Sequence, residues 1–431
     1  MSEQQHAPSV WLATANPTPD LPRLGRDLYT DVAIIGGGFT GLVAAHHLSR
    51  AGVACAVLEA NDAGWGASGR NGGMAVLRYK TPWAELAKRI GNERARWLHA
   101  LLLEALDLLE ETVGEYHIAC DFERCGHITA AHGRTALAML ERDVQWLEVE
   151  VRDKVPRILD AAATAELTGT ESYVGAYLDR RAGGIHPLNY VRGLADALSR
   201  KGVPIYAGTE VRSLREQGEG VILETAGGLV RAKQALVATN AYTDVVRFGT
   251  DLGSRVIPVW TSIVTTEPLP DELLRQVVPQ RHVVSDTRHL LNYFRVAPGD
   301  RLLYGGRGSL TGRQTPEVYA GLERKLVETF PAFRGIAIEH RWSGKVAVTL
   351  DDFPHVGRVS PRIAYAMGYG GRGVALTNLL GKMLAQLAMG ETIDAGPMSA
   401  APFGRIPLHA FRVPAMKAVA GYYALLDRLK L

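Results

Sequence analysis

Residues 31–52 read DVAIIGGGFTGLVAAHHLSRAG, and this stretch decides the fold. Residues 30–35 form an apolar, β-branched run that predicts a buried strand. The residues from 42 to about 51 predict a helix, which Gly52 ends. Residues 53–58 predict a second strand. The order strand, helix, strand is a βαβ unit and indicates an α/β domain.

The turn between the first strand and the helix has the spacing GxGxxG. Gly36 permits a tight turn, Gly38 lets a pyrophosphate approach the backbone, and Gly41 lets the helix pack closely on the strand. Phosphates would lie at the helix N-terminus, where free N–H groups and the helix dipole favour anions. Glu59, after the second strand, predicts a hydrogen-bond acceptor for a ribose. We therefore predict a dinucleotide site that also includes Phe39, Thr40 and Ala60.

The composition excludes several classes of protein. The chain has 431 residues, and its 48 Lys and Arg against 45 Asp and Glu leave a formal charge of +3, which offers no general footprint for nucleic acid. Its three cysteines match neither a disulfide framework nor a metal site, which favours reduced thiols in the cytoplasm. No apolar stretch is long enough to span a bilayer, and the first residues do not resemble a signal peptide. We expect a cytoplasmic protein.

A second glycine-rich segment, residues 64–73, follows the βαβ unit. In a plain NAD-binding fold another helix and strand would come promptly after Glu59, whereas this loop suits a longer cofactor such as FAD. Repeated glycines let backbone N–H groups wrap a pyrophosphate or a flat ring, and Ser68 can cap a phosphate. The expected cofactor contacts here are Gly66, Ala67, Ser68, Arg70, Asn71, Gly72 and Gly73.

A third glycine-rich segment lies near the other end of the chain. The predicted strand 363–367 runs into GYGGRG and then into a predicted helix over 374–389. A helix N-terminus aimed at a reduced flavin would stabilise its negative charge. The expected contacts are Gly370, Gly371, Arg372, Gly373 and Val374.

The rest of the chain alternates helical and strand patterns. Helices are predicted over 83–114, 134–150, 187–200 and 316–330. Strands are predicted in a meander from 203 to 239 and over 256–265, 290–296 and 301–305. Residues 1–26 are rich in proline and predict an extended arm.

Five runs of sequence resemble one known family. They are residues 31–52, LEANDAGWGASGRNGG (58–73), ALVATNAYT (235–243), RWSGKVAVTLDDFPHVGR (341–358) and MGYGGRGVALTNLLGKMLA (367–385). Together they resemble the D-amino acid oxidase superfamily of FAD-dependent amine and amino acid oxidases. Within it the chain is most similar to the γ-glutamylputrescine oxidoreductase branch, which implies polyamine catabolism.

The resemblance implies an α/β, two-domain fold: a Rossmann-like FAD-binding domain of the glutathione-reductase type, interleaved with a mainly antiparallel β substrate domain. We assign 1–27 to the arm and 396–431 to a C-terminal tail. The FAD-binding domain takes 28–80, 150–245 and 335–395, and the substrate domain takes 81–149 and 246–334. The resemblance also implies that Val211 contacts the adenine side of FAD, and we add Thr239 and Gly344 to the expected cofactor contacts.

The implied reaction is hydride transfer from the carbon beside an amine nitrogen to flavin N5, followed by hydrolysis of the imine. Such chemistry depends on positioning a neutral amine, so we expect no catalytic triad. Electrons would pass to O2 or to another acceptor. Three alternatives stay open: oxidation of an N-methyl or D-amino acid, a FAD-binding sensor or partner subunit without catalysis, and, more weakly, an NAD-dependent dehydrogenase.

Two departures from the family restrict the expected substrates and the expected link to FAD. Relatives that act on small α-amino acids often carry a carboxylate-binding arginine two residues after the glycine of WxG, where this chain has Val346. This favours an amine whose carboxylate is remote. Covalently flavinylated sarcosine oxidases carry a cysteine in this region, and none occurs between Trp342 and Gly357, so we expect non-covalent FAD.

The candidate substrate and catalytic residues are Tyr293, Arg295, Arg78 and Lys345. Tyr293 and Arg295 lie two apart on a strand, face one side and could hold a carboxylate, although a surface pair is an equal alternative. Arg78 loosely matches a carboxylate-binding arginine of sarcosine oxidases. Lys345 could activate oxygen or hold an acidic group, or be a solvated lysine.

The tail is basic and amphipathic. Met416, Val419, Tyr423 and Leu426 form one apolar stripe, with Lys417 and Arg428 facing away. The stripe predicts packing on the FAD domain or on a partner subunit, which would make an oligomer; a weak membrane contact is the alternative.

Overall fold

Two large β-sheets organise the protein, and a cavity lies between them. The computed structural model describes residues 6–245, 247–248, 250–309, 312, 314–399 and 403–429, without the side chains of 244, 245, 247 and 248. The helices are α1 (Val10–Ala13), α2 (Phe39–Arg50), α3 (Trp83–Ile90), α4 (Asn92–Tyr116), α5 (Arg134–Trp146), α6 (Ala161–Thr168), α7 (Pro187–Arg200), α8 (Asp271–Gln276), α9 (Pro316–Thr329), α10 (Gly373–Ala388) and α11 (Arg412–Leu429).

The first sheet contains the βαβ unit. Its nine strands are β1 (Leu28–Ile35), β2 (Cys55–Leu58), β8 (Ile205–Tyr206), β9 (Ser213–Gln217), β10 (Gly220–Glu224), β11 (Leu229–Val237), β12 (Arg247–Phe248), β18 (His355–Ser360) and β19 (Ile363–Met367). Strands β8, β2, β1, β11 and β19 pair in parallel in that order. Strand β1 is central and apolar because helices cover it, and α2 packs against α10 on one face.

The second sheet is mainly antiparallel. Its order is β17 (Ile338–Val348), β13 (Ile257–Thr266), β16 (Arg301–Arg307), β15 (Tyr293–Ala297), β14 (Val283–Asp286), β4 (His127–Ala130), β6 (Ala176–Asp179) and β5 (Arg157–Leu159). Only the pair β14 and β4 is parallel among the described strands of this sheet. A short ribbon of β3 (Met74–Ala75) and β7 (Gly183–Gly184) lies beside it. The predicted two-domain α/β architecture is confirmed.

One row of side chains runs across the second sheet on the cavity side. Cross-strand partners connect Trp342, Ile263, Gly305, Tyr293, Ser285, Thr129 and Tyr177. A neighbouring row connects Gly344, Thr261 and Arg307 on the same face, because side chains of one strand alternate between faces. The opposite face forms a separate apolar core with α9.

Sheet membership differs from the expected division of the chain in three places. Strands β5, β6 and β17 fall in segments assigned to the FAD-binding domain, yet they pair in the second sheet. Helix α4 falls in the segment assigned to the substrate domain, yet it packs on α7 and α10. The reason is that sheet pairing joins strands far apart in sequence, which local patterns do not report.

Two further expectations need correction. The predicted helix over 83–114 is two helices, because Gly91 adopts a left-handed φ of 84° between α3 and α4. The arm is not simply extended: its α1 buries Trp11, whose indole donates to the carbonyl of Asn71 at 2.8 Å. The arm thereby supports the glycine loop at 64–73.

No helix in the described part of the chain combines the length and the apolar character that crossing a membrane requires.

Candidate active site

A cavity of about 2560 Å³ extends from the carboxyl ends of β1 and β2 to the cavity face of the second sheet. Its cofactor half is lined by the glycine-rich segments around 36–41, 64–73 and 370–373. Its sheet half is lined by residues of β13 to β17, by Arg78 and by the C-terminal segment. This is the position at which open α/β sheets bind ligands.

The turn before α2 has the geometry that its sequence predicted. Gly36 adopts a φ of +110°, which favours glycine, and a Cβ on Gly41 would lie 2.0 Å from the carbonyl oxygen of Gly36. Helix α2 begins with no side-chain cap from its N-cap residue Gly38. The N–H of Phe39 donates to Ser68, so the remaining N–H groups of the first turn are the donors that this helix start offers to an anion.

Glu59 is held at the end of β2 by backbone donors. Its Oε2 accepts from the N–H of Gly37 at 2.7 Å and its Oε1 from the N–H of Asn61 at 2.9 Å. Burial raises the pKa of Glu59, and these hydrogen bonds oppose the rise. Each carboxylate oxygen can accept a further bond, so Glu59 can still accept from a ribose.

The loop at 64–73 folds over the start of α2. The hydroxyl of Ser68 accepts from the N–H of Phe39 at 3.0 Å, and a hydroxyl can also donate, so it can reach a phosphate. The amide of Asn71 donates to the carbonyls of Ala67 and Ser68 at 3.0 and 2.9 Å, which makes the loop rigid. Arg70 stacks on Trp65, with its Cζ 4.3 Å from the ring centroid.

Helix α10 supplies the second helix N-terminus of the cavity. Gly370 and Gly371 have φ angles of +58° and +86°, and nothing lies within 4 Å of a Cβ built on either. The hydroxyls of Thr40 and Tyr369 are 2.8 Å apart and connect the starts of α2 and α10. The two helix starts thus open onto one cavity.

Most predicted site residues line this cavity. They are Gly36, Gly38, Phe39, Thr40, Glu59, Ala60, Gly66, Ala67, Ser68, Arg70, Asn71, Gly72, Val211, Thr239, Gly344, Gly370, Gly371, Arg372, Gly373, Val374, Tyr293, Arg78 and Lys345. Gly41 and Gly73 lie behind it. Gly73 has a φ of +65°, and a Cβ there would lie 2.3 Å from the carbonyl oxygen of Ile185, so its role is close packing.

Arg295 does not line the cavity, so its predicted role in holding a carboxylate is corrected. Its Nη1 donates to the carbonyl of Gly73 and, at 3.1 Å, to that of Ile185. These bonds hold the glycine loop against the second sheet. The alternation on β15 is as predicted, because Tyr293 and Arg295 both face this loop, but the guanidinium is already bonded to backbone carbonyls.

Tyr293 lies flat across the neighbouring strand. A Cβ on Gly305 would lie 2.1 Å from Cζ and 2.5 Å from the hydroxyl oxygen of Tyr293, so glycine is required beneath the ring. The ring thereby extends from β15 across β16 toward β13, on the side of Thr261. Burial raises the pKa of Tyr293, which keeps the phenol a neutral donor.

Arg78 is buried at the far end of the sheet half. Its Nη2 donates to Asp143 at 2.6 Å, and its Cζ is 4.6 Å from the ring centroid of Tyr177. Among the described residues its Nη1 has no hydrogen-bond partner, and neither does Oγ1 of Thr129, which also lines the cavity. A buried donor without a partner destabilises the fold, so this pair marks a place for a polar ligand atom.

Lys345 lies at the wall of the cavity between two aromatic rings. Its Nζ is 5.0 Å from the ring centroid of Tyr242 and 5.7 Å from that of Trp260. The ammonium is thus a cavity group rather than a solvated strand lysine. Its predicted part in oxygen activation stays a prediction.

The C-terminal segment covers the sheet half. Tyr423 stacks on His289 with ring centroids 4.9 Å apart, and Asp427 accepts from the N–H groups of His289 and Leu290 at 2.7 and 3.0 Å. Three residues of the predicted stripe, Met416, Val419 and Tyr423, line the cavity together with the buried Ala420, although Val419 keeps 48% exposure. The helix packs over the mouth of the cavity rather than against the first sheet.

Several site residues escaped prediction from the sequence. They are Thr129, Asp143, Trp260, Thr261, His289 and Arg307. Of these residues, only Arg307 could have been suspected from the sequence, since it follows the predicted strand 301–305 in the run YGGRG. The others become visible only when the second sheet pairs its strands.

Three comparisons agree with this geometry. The sequence model of the DAO family, described as FAD dependent oxidoreductase, matches residues 31–387. The chain is 36% identical to gamma-glutamylputrescine oxidoreductase of Escherichia coli (strain K12), covering 99% of each chain. It is 33% identical to a Haemophilus influenzae protein named Probable oxidoreductase OrdL, covering 90% of this chain and 89% of that one.

Solved structures show the same fold. Glycine oxidase from Geobacillus kaustophilus superposes with a TM-score of 0.73 at 23% identity, covering 88% of this chain and 100% of that one. L-proline dehydrogenase from P. horikoshii gives a TM-score of 0.71 at 19% identity, covering 86% and 95%. Because the family model spans most of the chain and aligns with the glycine-rich cavity, the protein belongs to the DAO family of FAD-dependent oxidoreductases.

Proposed function

We propose that this protein oxidises the CH–NH group of an amine that carries a remote carboxylate, with γ-glutamylputrescine as the model substrate. The product imine would hydrolyse to an aldehyde. FAD, when bound, supplies the hydride acceptor. The glycine-rich cradle, the two helix starts and Glu59 fit a dinucleotide, and they would hold it in the cofactor half.

The observation that carries the proposal is the charge of the sheet half of the cavity. Cations outnumber acids among its described lining residues, which are Arg78, Lys80, Arg288, Arg307, Lys345 and Arg412 against Asp286 and Asp352. Three of these cations have an acidic partner: Arg288 pairs with Asp286, Lys80 with Asp352 at 2.6 Å and Arg78 with the buried Asp143. The excess of positive charge comes from the other lining cations. The sheet half is therefore positively charged.

This charge has two consequences for an amine. A nearby positive charge disfavours an ammonium ion, so it lowers the pKa of a bound amine and favours the neutral form that hydride loss requires. It also disfavours a free polyamine, which has several positive charges and no carboxylate. Burial lowers the pKa of Arg372 to about 10, and the neighbouring cation Arg78 contributes to the decrease.

The residue at position 346 supports a remote carboxylate rather than an adjacent one. Val346 lines the cavity, and its side chain has no hydrogen-bonding group. A small α-amino acid would leave its carboxylate against this apolar group. The identity to the Escherichia coli gamma-glutamylputrescine oxidoreductase supports the same substrate class.

Substrate oxidation is tested by anaerobic mixing of the holoenzyme with single amines. We expect γ-glutamylputrescine to bleach the flavin absorbance, and putrescine, sarcosine and D-alanine to do so much more slowly. Faster bleaching by sarcosine or D-alanine would favour an amino acid oxidase. Binding shifts without bleaching by any of the four would favour a non-catalytic protein.

We also propose that FAD is bound without a covalent link. No cysteine is present among the described residues that line the cavity, and Cys55 and Cys120 are buried elsewhere. Acid precipitation should release FAD into the supernatant. A yellow protein pellet would contradict this part of the proposal. Comparing turnover in air with turnover on an artificial acceptor would identify the oxidant.

A further inference from the structure

Arg307 is a cation of the cavity that the family resemblance does not assign. It ends β16 and lines the sheet half. Burial lowers the pKa of Arg307, and no carboxylate contacts it among the described residues. The segment that follows, residues 308–316, contains no acidic residue either. A half-buried guanidinium without a counter-ion is costly unless a ligand supplies the anion.

The second sheet brings Arg307 next to Tyr293. The ring of Tyr293 crosses β16 at Gly305, two residues before Arg307 and on the same face of the sheet, and extends toward Thr261 on β13. Thr261 is the direct cross-strand partner of Arg307. Directly opposed residues of an antiparallel pair have their Cβ atoms about 5 Å apart. The phenol and the guanidinium therefore flank one residue on the cavity face.

The other cations of the sheet half are less suited to bind an anion. Arg295 donates to backbone carbonyls, and the charge of Arg78 is compensated by Asp143 at 2.6 Å. Lys345 lies between two aromatic rings. A guanidinium together with a phenol offers donors in the arrangement that a carboxylate accepts.

We propose that Tyr293 and Arg307 form a subsite that binds the remote carboxylate of the amine substrate. The proposal rests on the proposed function for the identity of that substrate. Arg307 is separated from Gly344, an expected cofactor contact, by one intervening strand, so the two are about 10 Å apart. That separation matches a substrate whose carboxylate is distant from its reacting carbon.

The test compares wild type with Arg307→Gln, Arg307→Lys and the control Arg301→Gln. Arg301 begins the same strand and pairs with Glu339 at 2.6 Å outside the cavity. N-Butylglutaramate, which has the amide and carboxylate but no amine, is titrated into each holoenzyme, and the shift of the flavin spectrum gives Kd. We expect about a 10- to 100-fold weaker Kd for Arg307→Gln and a smaller loss for Arg307→Lys. Arg301→Gln should bind as wild type does.

A second measurement uses turnover of γ-glutamylputrescine and N-acetylputrescine, the second of which lacks the glutamyl carboxylate together with its neighbouring ammonium group. Wild type should prefer the first through KM, Arg307→Gln should lose this preference, and the control Arg301→Gln should keep both the preference and the wild-type kcat. An unchanged Kd for N-butylglutaramate in Arg307→Gln with full FAD content would overturn the subsite. Since that titration needs no turnover, it decides about Arg307 even if γ-glutamylputrescine proves not to be a substrate.

Discussion

The two halves of the cavity are built in different ways. In the cofactor half, the decisive hydrogen bonds join residues that are close in sequence: Gly37 to Glu59 across 22 positions and Phe39 to Ser68 across 29. In the sheet half, Arg78 reaches Asp143 across 65 positions, and His289 reaches Asp427 across 138. The turn and the glycine loop at 36–73 form a local motif that only the start of α10 joins from afar, across 329 positions, whereas the sheet half is assembled by long-range pairing throughout.

This difference explains why the cofactor half has a recognisable sequence pattern and the sheet half does not. A dinucleotide is held mainly by backbone amides, which need glycines at fixed spacing and hence leave a pattern. An amine substrate is held by side chains on neighbouring strands, and no fixed spacing describes them. Substitutions in the first half should affect cofactor binding, and substitutions in the second half should affect stability and substrate binding separately.

The largest effect is expected in the sheet half. Arg78→Ala leaves the Asp143 carboxylate, which is fully buried, without its counter-ion and should lower the free energy of unfolding by about 3–5 kcal/mol. Chemical denaturation measures this change. The double variant Arg78→Met and Asp143→Leu should recover most of the stability, since the pair is replaced by apolar groups. A single variant as stable as wild type would contradict the buried ion pair.

The next largest effect is expected for a substitution in the cofactor half. Gly41→Ala places a Cβ 2.0 Å from the carbonyl oxygen of Gly36, so α2 must move away from β1. We expect a loss of about 3 kcal/mol and little retained FAD, measured by thermal unfolding and by the flavin absorbance of the purified protein. Gly114→Ala in α4 is the control, because nothing lies within 4 Å of its Cβ position. Normal FAD content in Gly41→Ala would disprove the close packing.

Acid should also weaken the cofactor half. Burial lowers the pKa of His46 in α2 from 6.5 to about 4, although Glu115 opposes the shift. The unfolded chain therefore binds a proton that the folded chain does not, and stability falls as the pH drops from 6.5 toward 4, by up to about 1.4 kcal/mol per pH unit. FAD fluorescence released on acidification measures this loss. His46→Gln should reduce the slope of the profile without removing it, because burial also lowers the pKa of His47 to about 3 and that of His186 to about 4. A substitution of the exposed His117 to Asn should leave the slope unchanged.

The smallest effect is expected for helix α11, which covers the sheet half. Tyr423→Ala removes the stacking on His289 and should weaken the docking of α11 by about 1 kcal/mol. KM for the amine should rise several-fold, and limited proteolysis of the tail should accelerate, with unchanged FAD content. Tyr422→Ala is the matched control, since Tyr422 is 60% exposed. Equal effects of the two substitutions would show that α11 does not cover the site.

The tail also offers a test of the membrane alternative. Its outer face exposes Phe411, Tyr422, Leu425 and Leu429 next to Lys417. Deleting residues 414–431 should leave sedimentation with anionic vesicles unchanged if the tail only covers the cavity. A loss of sedimentation would support a weak membrane contact.

Much of the cofactor half was predictable and much of the sheet half was not. The roles of Gly36, Gly38 and Gly41 follow from their spacing, since each glycine solves a local backbone problem. The role of Arg295 did not follow from the sequence. Its position on a strand was predictable, but its contacts with the carbonyls of Gly73 and Ile185 were not. Thr129 and Thr261 look like ordinary strand residues until their partners are known.

Spacing, glycine content and the βαβ order were thus sufficient to place this chain in a family and to predict the glycine-rich segments that line the cofactor half, since backbone geometry acts over a few residues. The order of the eight strands in the second sheet was needed to set Tyr293 beside Arg307. Tertiary packing was also needed to bury Arg78 against Asp143 and to place α11 over the cavity. Those contacts arise from packing between distant segments, and the proposed carboxylate subsite depends on them.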